Sequence, residues 1–354
     1  MIKLILVMGV FFTSLSSILT RLSTASPLLL VFYRLIFSVG LTLPLFLKNS
    51  RHELRKLQRR DILMSLAAGV CLGFHFSFYL SSLSYTSIAS STTLTDTEVF
   101  FVALLGVVFL REKLSVGTWA GMLITFAGSM VLAAGDAGTG HLSGDLLALA
   151  AAACSALYTI VGRSVRRRVS ASAYTLLVYM AACAAALCIC TGSGTNLGAM
   201  TAKDLWIALG LAFFCTLLGH SIFSWGLKYE KASFVSVVKL LEPVFATVIG
   251  FFLFAERPGV TVLLGAAAII AGIVIVTRTT GEDEKTETTS AAEGNRRTDA
   301  RAAAGSAARR KNRDRLLRSV HPRTGKDQSD GNASVISGLG TRLRGDECDV
   351  RKNE

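Results

Sequence analysis

Residues 241–259 read LEPVFATVIGFFLFAERPG and residues 97–115 read TEVFFVALLGVVFLREKLS; a constant shift of 144 lays one over the other. Extended outward without a gap, that shift carries Leu83 onto Leu227, Tyr85 onto Tyr229, Glu98 onto Glu242, Phe101 onto Phe245 and Gly106 onto Gly250. It continues with Glu112 onto Glu256, Gly121 onto Gly265 and Gly128 onto Gly272. The chain is written twice, and each copy must build the same unit.

Both units are apolar. Half of the 354 residues are hydrophobic, the mean hydropathy is +0.51 and there are five prolines, values outside the range of soluble domains. Windows of about 19 residues, enough to cross a hydrocarbon core of roughly 30 Å, fit nearly end to end through Arg278. Ten spans result, at 2–20, 27–47, 62–83, 89–110, 115–135, 145–162, 172–192, 204–226, 233–255 and 259–278. A β-barrel is excluded, because its strands would need only about ten residues of alternating polarity. Short links make neighbouring helices antiparallel.

Five spans per unit is an odd number, so the second unit must enter the membrane from the opposite side. The expected fold is an all-α polytopic membrane protein of ten transmembrane helices in two inverted five-helix repeats, residues 1–138 and 139–278. Inverted repeats are the architecture of alternating-access transporters, with the substrate site near the midplane between the halves. Residues 279–354 are polar, first acidic and then basic, and are expected to form a disordered charged tail, solvated or in contact with anionic lipid.

Charge fixes orientation independently. Lys3, six basic residues between Lys48 and Arg60, Arg111, Lys113, four between Arg163 and Arg168, Lys228 and Lys231 fall on one side, against Arg21, Lys203 and Arg257 on the other. The positive-inside rule then puts both termini and the tail in the cytoplasm, and a bacterial cytoplasmic (inner) membrane is the expected location. The sequon at Asn332 becomes a chance match. The net charge of +13 is used for topology, so no nucleic-acid partner is expected. Cys71, Cys154, Cys183, Cys188, Cys190 and Cys215 lie inside helices without metal-ligand spacing and read as reduced, buried residues; no metal or cofactor is expected. Residues 1–26 could pass for a signal peptide ending in STAS, but the repeat argues against their removal.

The segment EPVFATVIGFFLFAERP resembles the signature of the EamA family in the drug/metabolite transporter superfamily, and TEVFFVALLGVVFLREKLS is similar to the same signature. FFTSLSSILTRLS (11–23) followed by PLLLVFYRLIF (27–37) resembles the family's first two helices, with Arg34 on its helix-two arginine. The resemblance covers residues 1–278. It implies that helices one to four and six to nine surround a central cavity with helices five and ten at the periphery, and that small polar or amphipathic metabolites are carried, most often outward. One departure is Val99 where the second repeat has Pro243, so a helix break there is expected on one side only.

Ionisable groups at bilayer depth cost several kcal/mol and need partners or a watery cavity, which marks Arg34, His75, Asp96, Glu98, His220, Lys239 and Glu242 as functional candidates. Lys239 and Glu242, three apart on one helical face, are expected to neutralise each other, while Pro243 removes a backbone donor and loosens the preceding turn. In the hydroxyl-rich run around Thr95, side chains can bond their own backbone carbonyls. Asp96 and Glu98 project about 200° apart on a straight helix, so only one can point at a cavity axis, and symmetry with Glu242 favours Glu98. Carboxylates facing each other could exchange protons. His75 and His220 lie in equivalent helices one position out of register, and a lone helical histidine is more often structural than a relay. Arg34 is expected to bind a carboxylate or compensate Glu98.

Gly121 with Gly128, and Gly265 with Gly272, sit two turns apart and should allow close helix packing. Glu112 and Glu256 end helices at opposite surfaces, where each could bond the first turn of the next helix in a structural or gating role. Tyr85 and Tyr229 suit interface anchoring.

The first functional expectation is a secondary transporter exporting a small-molecule substrate, amino-acid-like or drug-like, across the lipid bilayer, with proton coupling in view. The alternatives are a polytopic membrane enzyme and a sensor or scaffold with a basic tail. An enzyme would have no nucleophile elbow, zinc motif or P-loop to work with. Substrate, direction and oligomeric state, a homodimer included, stay open.

Overall fold

A computed structural model describes residues 1–53, 57–86, 88–134, 142–254 and 259–279. The expected tail beyond Thr279, and Glu256 with it, lie outside the described residues. Within them the chain is helical, with no strand. The helices are α1 (Ile2–Leu22), α2 (Pro27–Asn49), α3 (Arg59–Ser82), α4 in two pieces (Ile88–Asp96 and Glu98–Leu110) and α5 (Val116–Ala134). There follow α6 (Leu142–Arg166), α7 (Ala171–Gly192), α8 (Ala202–Gly226), α9 in two pieces (Ala232–Lys239 and Glu242–Phe254) and α10 (Val260–Thr279). Nine of them are long and apolar enough to cross a membrane among the described residues; in α5 the apolar stretch is the shorter Val116–Val131.

Local chemistry sets the ends. Pro27 opens α2, where its missing N–H would have no partner anyway. Thr201 caps α8 by accepting from Asp204 N, and Ser170 caps α7 by accepting from Ala173 N. The second piece of α4 stops where Arg111 turns left-handed, at φ 55°, and Glu112 N bonds back to Gly106 O at 3.0 Å.

The breaks in α4 and α9 fall at positions related by the shift of 144. In α9, Leu240 N and Leu241 N bond carbonyls three residues back, Val237 O and Val238 O, at 3.1 Å each. Pro243 follows and supplies no N–H to Lys239 O. In α4 the break is at Thr97, whose N bonds Leu94 O three back at 3.2 Å and whose Oγ1 bonds the same carbonyl at 2.6 Å. The one-sided break expected from Val99 is thereby corrected: the threonine hydroxyl satisfies a carbonyl at the break, so no proline is required.

A feature invisible in the periodicity is the π-helical stretch Leu211–His220 inside α8. Its wider turns, with Thr216 Oγ1 on Leu211 O at 3.2 Å, absorb additional residues. Asp61 and Asp204, in the first turns of α3 and α8, are offset by 143, and His75 and His220 by 145. Two extra residues therefore fit between the aspartate and the histidine of α8.

The two aspartates tie the repeats together. Asp61 takes Arg168 Nε and NH2 from the α6–α7 loop at 3.1 and 2.7 Å. Asp204 takes Ser23 Oγ and Thr24 N from the α1–α2 loop at 2.8 Å each. The apolar interior forms two clusters, one around Leu35, Leu72, Phe76, Tyr174 and Tyr179, the other around Leu6, Val102, Met122, Phe223, Phe234 and Ile269. On the outer side of the second cluster α5 and α10 pack backbone to backbone: a Cβ on Gly128 would lie 2.8 Å from Gly265 O, and one on Gly121 2.9 Å from Gly272 O.

Candidate functional site

Between the two clusters lies a cavity of about 80 Å³, lined from α1 (Thr13, Ser16), α2 (Arg34), α3 (His75, Phe76, Tyr79), α4 (Thr92, Thr95, Asp96, Glu98), α6 (Ser155), α8 (His220, Phe223) and α9 (Lys239, Glu242). Eight of the nine residues expected there from sequence converge on it. The exception is Pro243, which is not part of the lining; its place is the first turn of the second piece of α9, where Thr247 Oγ1 bonds its carbonyl at 2.9 Å. At this size the cavity holds a few waters or a very small solute, well short of the roughly 300–1,000 Å³ of drug-sized ligand sites.

The charge pairing differs from the expectation. Lys239 Nζ lies 2.7 Å from Glu98 Oε1, not against Glu242. Lys239 and Glu242 both line the cavity, but the lysine side chain reaches across the bundle to α4 and takes Glu98 as its partner. Glu98 is held further by Ser155 Oγ on Oε2 at 2.5 Å and by Thr159 Oγ1 on Oε1 at 3.3 Å, both from α6. Two hydroxyls one turn apart in the alanine-rich α6 are the sequence signal for these partners, and hydrophobic periodicity passes over them.

Asp96 also reaches the cavity, again because α4 is not straight: the turn at Thr97 removes the 200° separation that a continuous helix would impose. Ser129 Oγ of α5 donates to Asp96 Oδ2 at 2.7 Å. Neither Asp96 nor Glu242 forms an ion pair among the described residues.

Arg34 is 2% exposed, yet it touches neither carboxylate. Its Nε donates to Thr216 Oγ1 in the π-helical stretch at 2.8 Å, its NH1 to Ser16 Oγ at 3.4 Å, and its guanidinium lies 4.2 Å from the centroid of Phe76. The expected compensation of Glu98 by Arg34 is thus replaced by Lys239. His75 Nδ1 is 2.9 Å from Ala151 O, and since a carbonyl only accepts, Nδ1 carries the proton. His220 stands edge-on to Phe76 at 5.0 Å, and its Nδ1 has no hydrogen-bond partner among the described residues; nor has Thr95 Oγ1.

Glu112, 8% exposed, receives Ala232 N at 2.8 Å, and Ser233 Oγ at 2.9 Å, and so caps α9. The expectation that it would bond the next helix, α5, is corrected: the left-handed Arg111 turns the loop back over Gly106 toward the other repeat. Tyr85 and Tyr229 are about half exposed.

The family described as "EamA-like transporter family" matches residues 1–134 and again 142–278. The chain is 25% identical over 227 residues to the uncharacterized transporter YxxF of Bacillus subtilis (strain 168), covering 62% of this chain and 71% of the relative. It is 26% identical over 249 residues to a riboflavin transporter of Brucella anthropi, covering 68% and 84%. A protein crystal structure aligns with a TM-score of 0.67 at 19% identity, over 80% of this chain and 98% of the other, a likeness of fold.

Proposed function

We propose, for a chain that belongs to the EamA-like transporter family, that it is a secondary transporter exporting a small polar metabolite by alternating access. Ten membrane crossings in two inverted five-helix repeats, 1–138 and 139–278, enclose the cavity in this reading. Both termini and the charged tail face the cytoplasm of a bacterial inner membrane. The observation that carries the proposal is the cavity, where ionisable side chains from both repeats converge inside otherwise apolar helices. Buried charges of this kind are costly, and membrane helices carry them where they pair with one another or line the path of a solute.

The riboflavin-transporting relative supports a small organic solute as cargo, with its identity free to differ in this chain. Asp96 and Glu242, which lack a cationic partner among the described residues, are the groups to which we assign proton exchange. The small cavity volume fits a conformation that must open further to load.

The test compares culture medium from cells overproducing wild type with medium from cells overproducing Glu242→Gln at equal membrane levels. A compound enriched only by wild type is expected, with the enrichment lost when a protonophore collapses the proton gradient. Identical media would overturn the exporter reading, and depletion by wild type would reverse the direction. Enrichment indifferent to the protonophore would remove proton coupling alone.

A further inference from the structure

The ion pair of Lys239 with Glu98 has a mirror position, at Glu242, where no ion pair forms among the described residues; Arg34, in the same cavity, bonds Thr216 and Ser16 instead. The shift of 144 carries Glu98 onto Glu242, Thr95 onto Lys239 and Tyr79 onto Phe223. In the arrangement that exists, the ammonium of Lys239 sits 2.7 Å from Glu98 Oε1 and 5.7 Å from the Phe223 ring centroid. In the mirror arrangement the corresponding residues are Thr95, Glu242 and Tyr79, and all three line the same cavity. The acid and the ring are retained, but the lysine is replaced by a threonine, which is too short and uncharged. The buried Thr95 Oγ1 has no hydrogen-bond partner among the described residues, and the neighbouring Asp96 adds a second carboxylate that forms no ion pair among them.

We infer that Glu242, Thr95, Asp96 and the face of Tyr79 form a binding site for the ammonium group of a primary amine, in the place where the mirror image of the Lys239 ammonium would sit. An ammonium carries three donors and no acceptor, which matches two carboxylates and a hydroxyl, and a ring face adds attraction for a cation. The site offers the solute's ammonium the acid and ring that Lys239 has, with a second carboxylate and a hydroxyl added. The inference rests on the reading of the two repeats as inverted copies around a transport cavity.

The experiment uses the purified full chain in nanodiscs with three probes of one size: n-butylammonium, n-butanol and butyrate. Thermal unfolding is followed as each is titrated into wild type, Thr95→Lys and Glu242→Gln. n-Butylammonium should raise the wild-type midpoint saturably, and n-butanol and butyrate should not. Thr95→Lys supplies the missing ammonium from the chain itself, so it should unfold no earlier than wild type without probe. Both variants should bind n-butylammonium about 10- to 100-fold more weakly, the usual worth of a charge-assisted hydrogen bond.

If Thr95→Lys does not fold, Glu242→Gln carries the comparison. A response to n-butylammonium no larger than to n-butanol, or one that Glu242→Gln leaves unchanged, overturns the site. Selective binding of butyrate overturns it too and leaves the transporter reading standing, since that reading is judged by the culture medium and not by these probes.

Discussion

Lys239 Nζ and Glu98 Oε1 are 2.7 Å apart, joining the end of the first piece of α9 to the start of the second piece of α4 across the bundle interior. Both side chains are mostly buried, at 15% and 10% exposure, so each charge depends on the other. Removing one partner should cost about 3–5 kcal/mol, because the remaining charge is left desolvated. Glu98→Gln and Lys239→Met should each destabilise strongly, while the double variant should recover much of the loss. Equilibrium unfolding of the four proteins in detergent gives the cycle; additive single effects would show that the pair is not coupled.

Glu112 should matter for a different reason. It accepts from three donors at the first turn of α9, the Ala232 and Ser233 N–H groups, which have no helical partner, and the Ser233 hydroxyl. Glu112→Ala should lower stability by about 1–3 kcal/mol and speed amide exchange in residues 232–235 specifically. Ser233→Ala, which removes one of the donors, should do less. Unchanged exchange at the start of α9 would refute the cap.

The α5–α10 contact predicts sensitivity to a single methyl group. A Cβ on Gly272 would lie 2.7 Å from Gly121 O, and one on Gly128 2.8 Å from Gly265 O, all backbone that cannot yield locally. Alanine at either position should cost about 1–3 kcal/mol. Gly40→Ala and Gly192→Ala, where nothing lies within 4 Å, serve as controls and should be neutral or slightly stabilising in their helices. Thermal midpoints of the four variants decide it.

Arg34 is bound through geometry as well as charge. A lysine cannot donate to Thr216 Oγ1 from a planar fork while lying flat over Phe76, so Arg34→Lys should keep the charge and lose the arrangement. Transport by Arg34→Lys should fall about tenfold or more at wild-type membrane levels, the worth of roughly one charge-assisted hydrogen bond. Full activity would make Arg34 a simple counter-charge.

Arg168 offers the contrast. Its side chain is 49% exposed while that of Asp61 is 5% exposed, so solvent screens only the arginine end of the pair. Arg168→Ala should cost about 1–3 kcal/mol, less than breaking Lys239–Glu98, because it leaves the buried Asp61 carboxylate without its donors; the same unfolding assay reads it.

The repeat, the helical spans and the set of buried ionisable residues are legible in the sequence because each is a local property: hydropathy over a window, a fixed shift, a charge inside an apolar run. Arg34, His75, Asp96, Glu98, His220, Lys239 and Glu242 could be collected that way, and Thr95 from its hydroxyl-rich run, without knowing where any of them points. Their partners could not. Whether Lys239 serves Glu242 or Glu98 depends on how α9 packs against α4. Whether Asp96 faces the cavity depends on how Thr97 bonds Leu94, and where His220 falls around α8 depends on a π-helical stretch. The last two are rotations about a helix axis, set by backbone hydrogen bonds that shift by one residue, and hydrophobic periodicity averages over such shifts. Sequence alone determined which groups are buried at membrane depth; the tertiary structure decided which of them meet, because contact across a bundle is fixed by the angular phase of each helix and not by its composition.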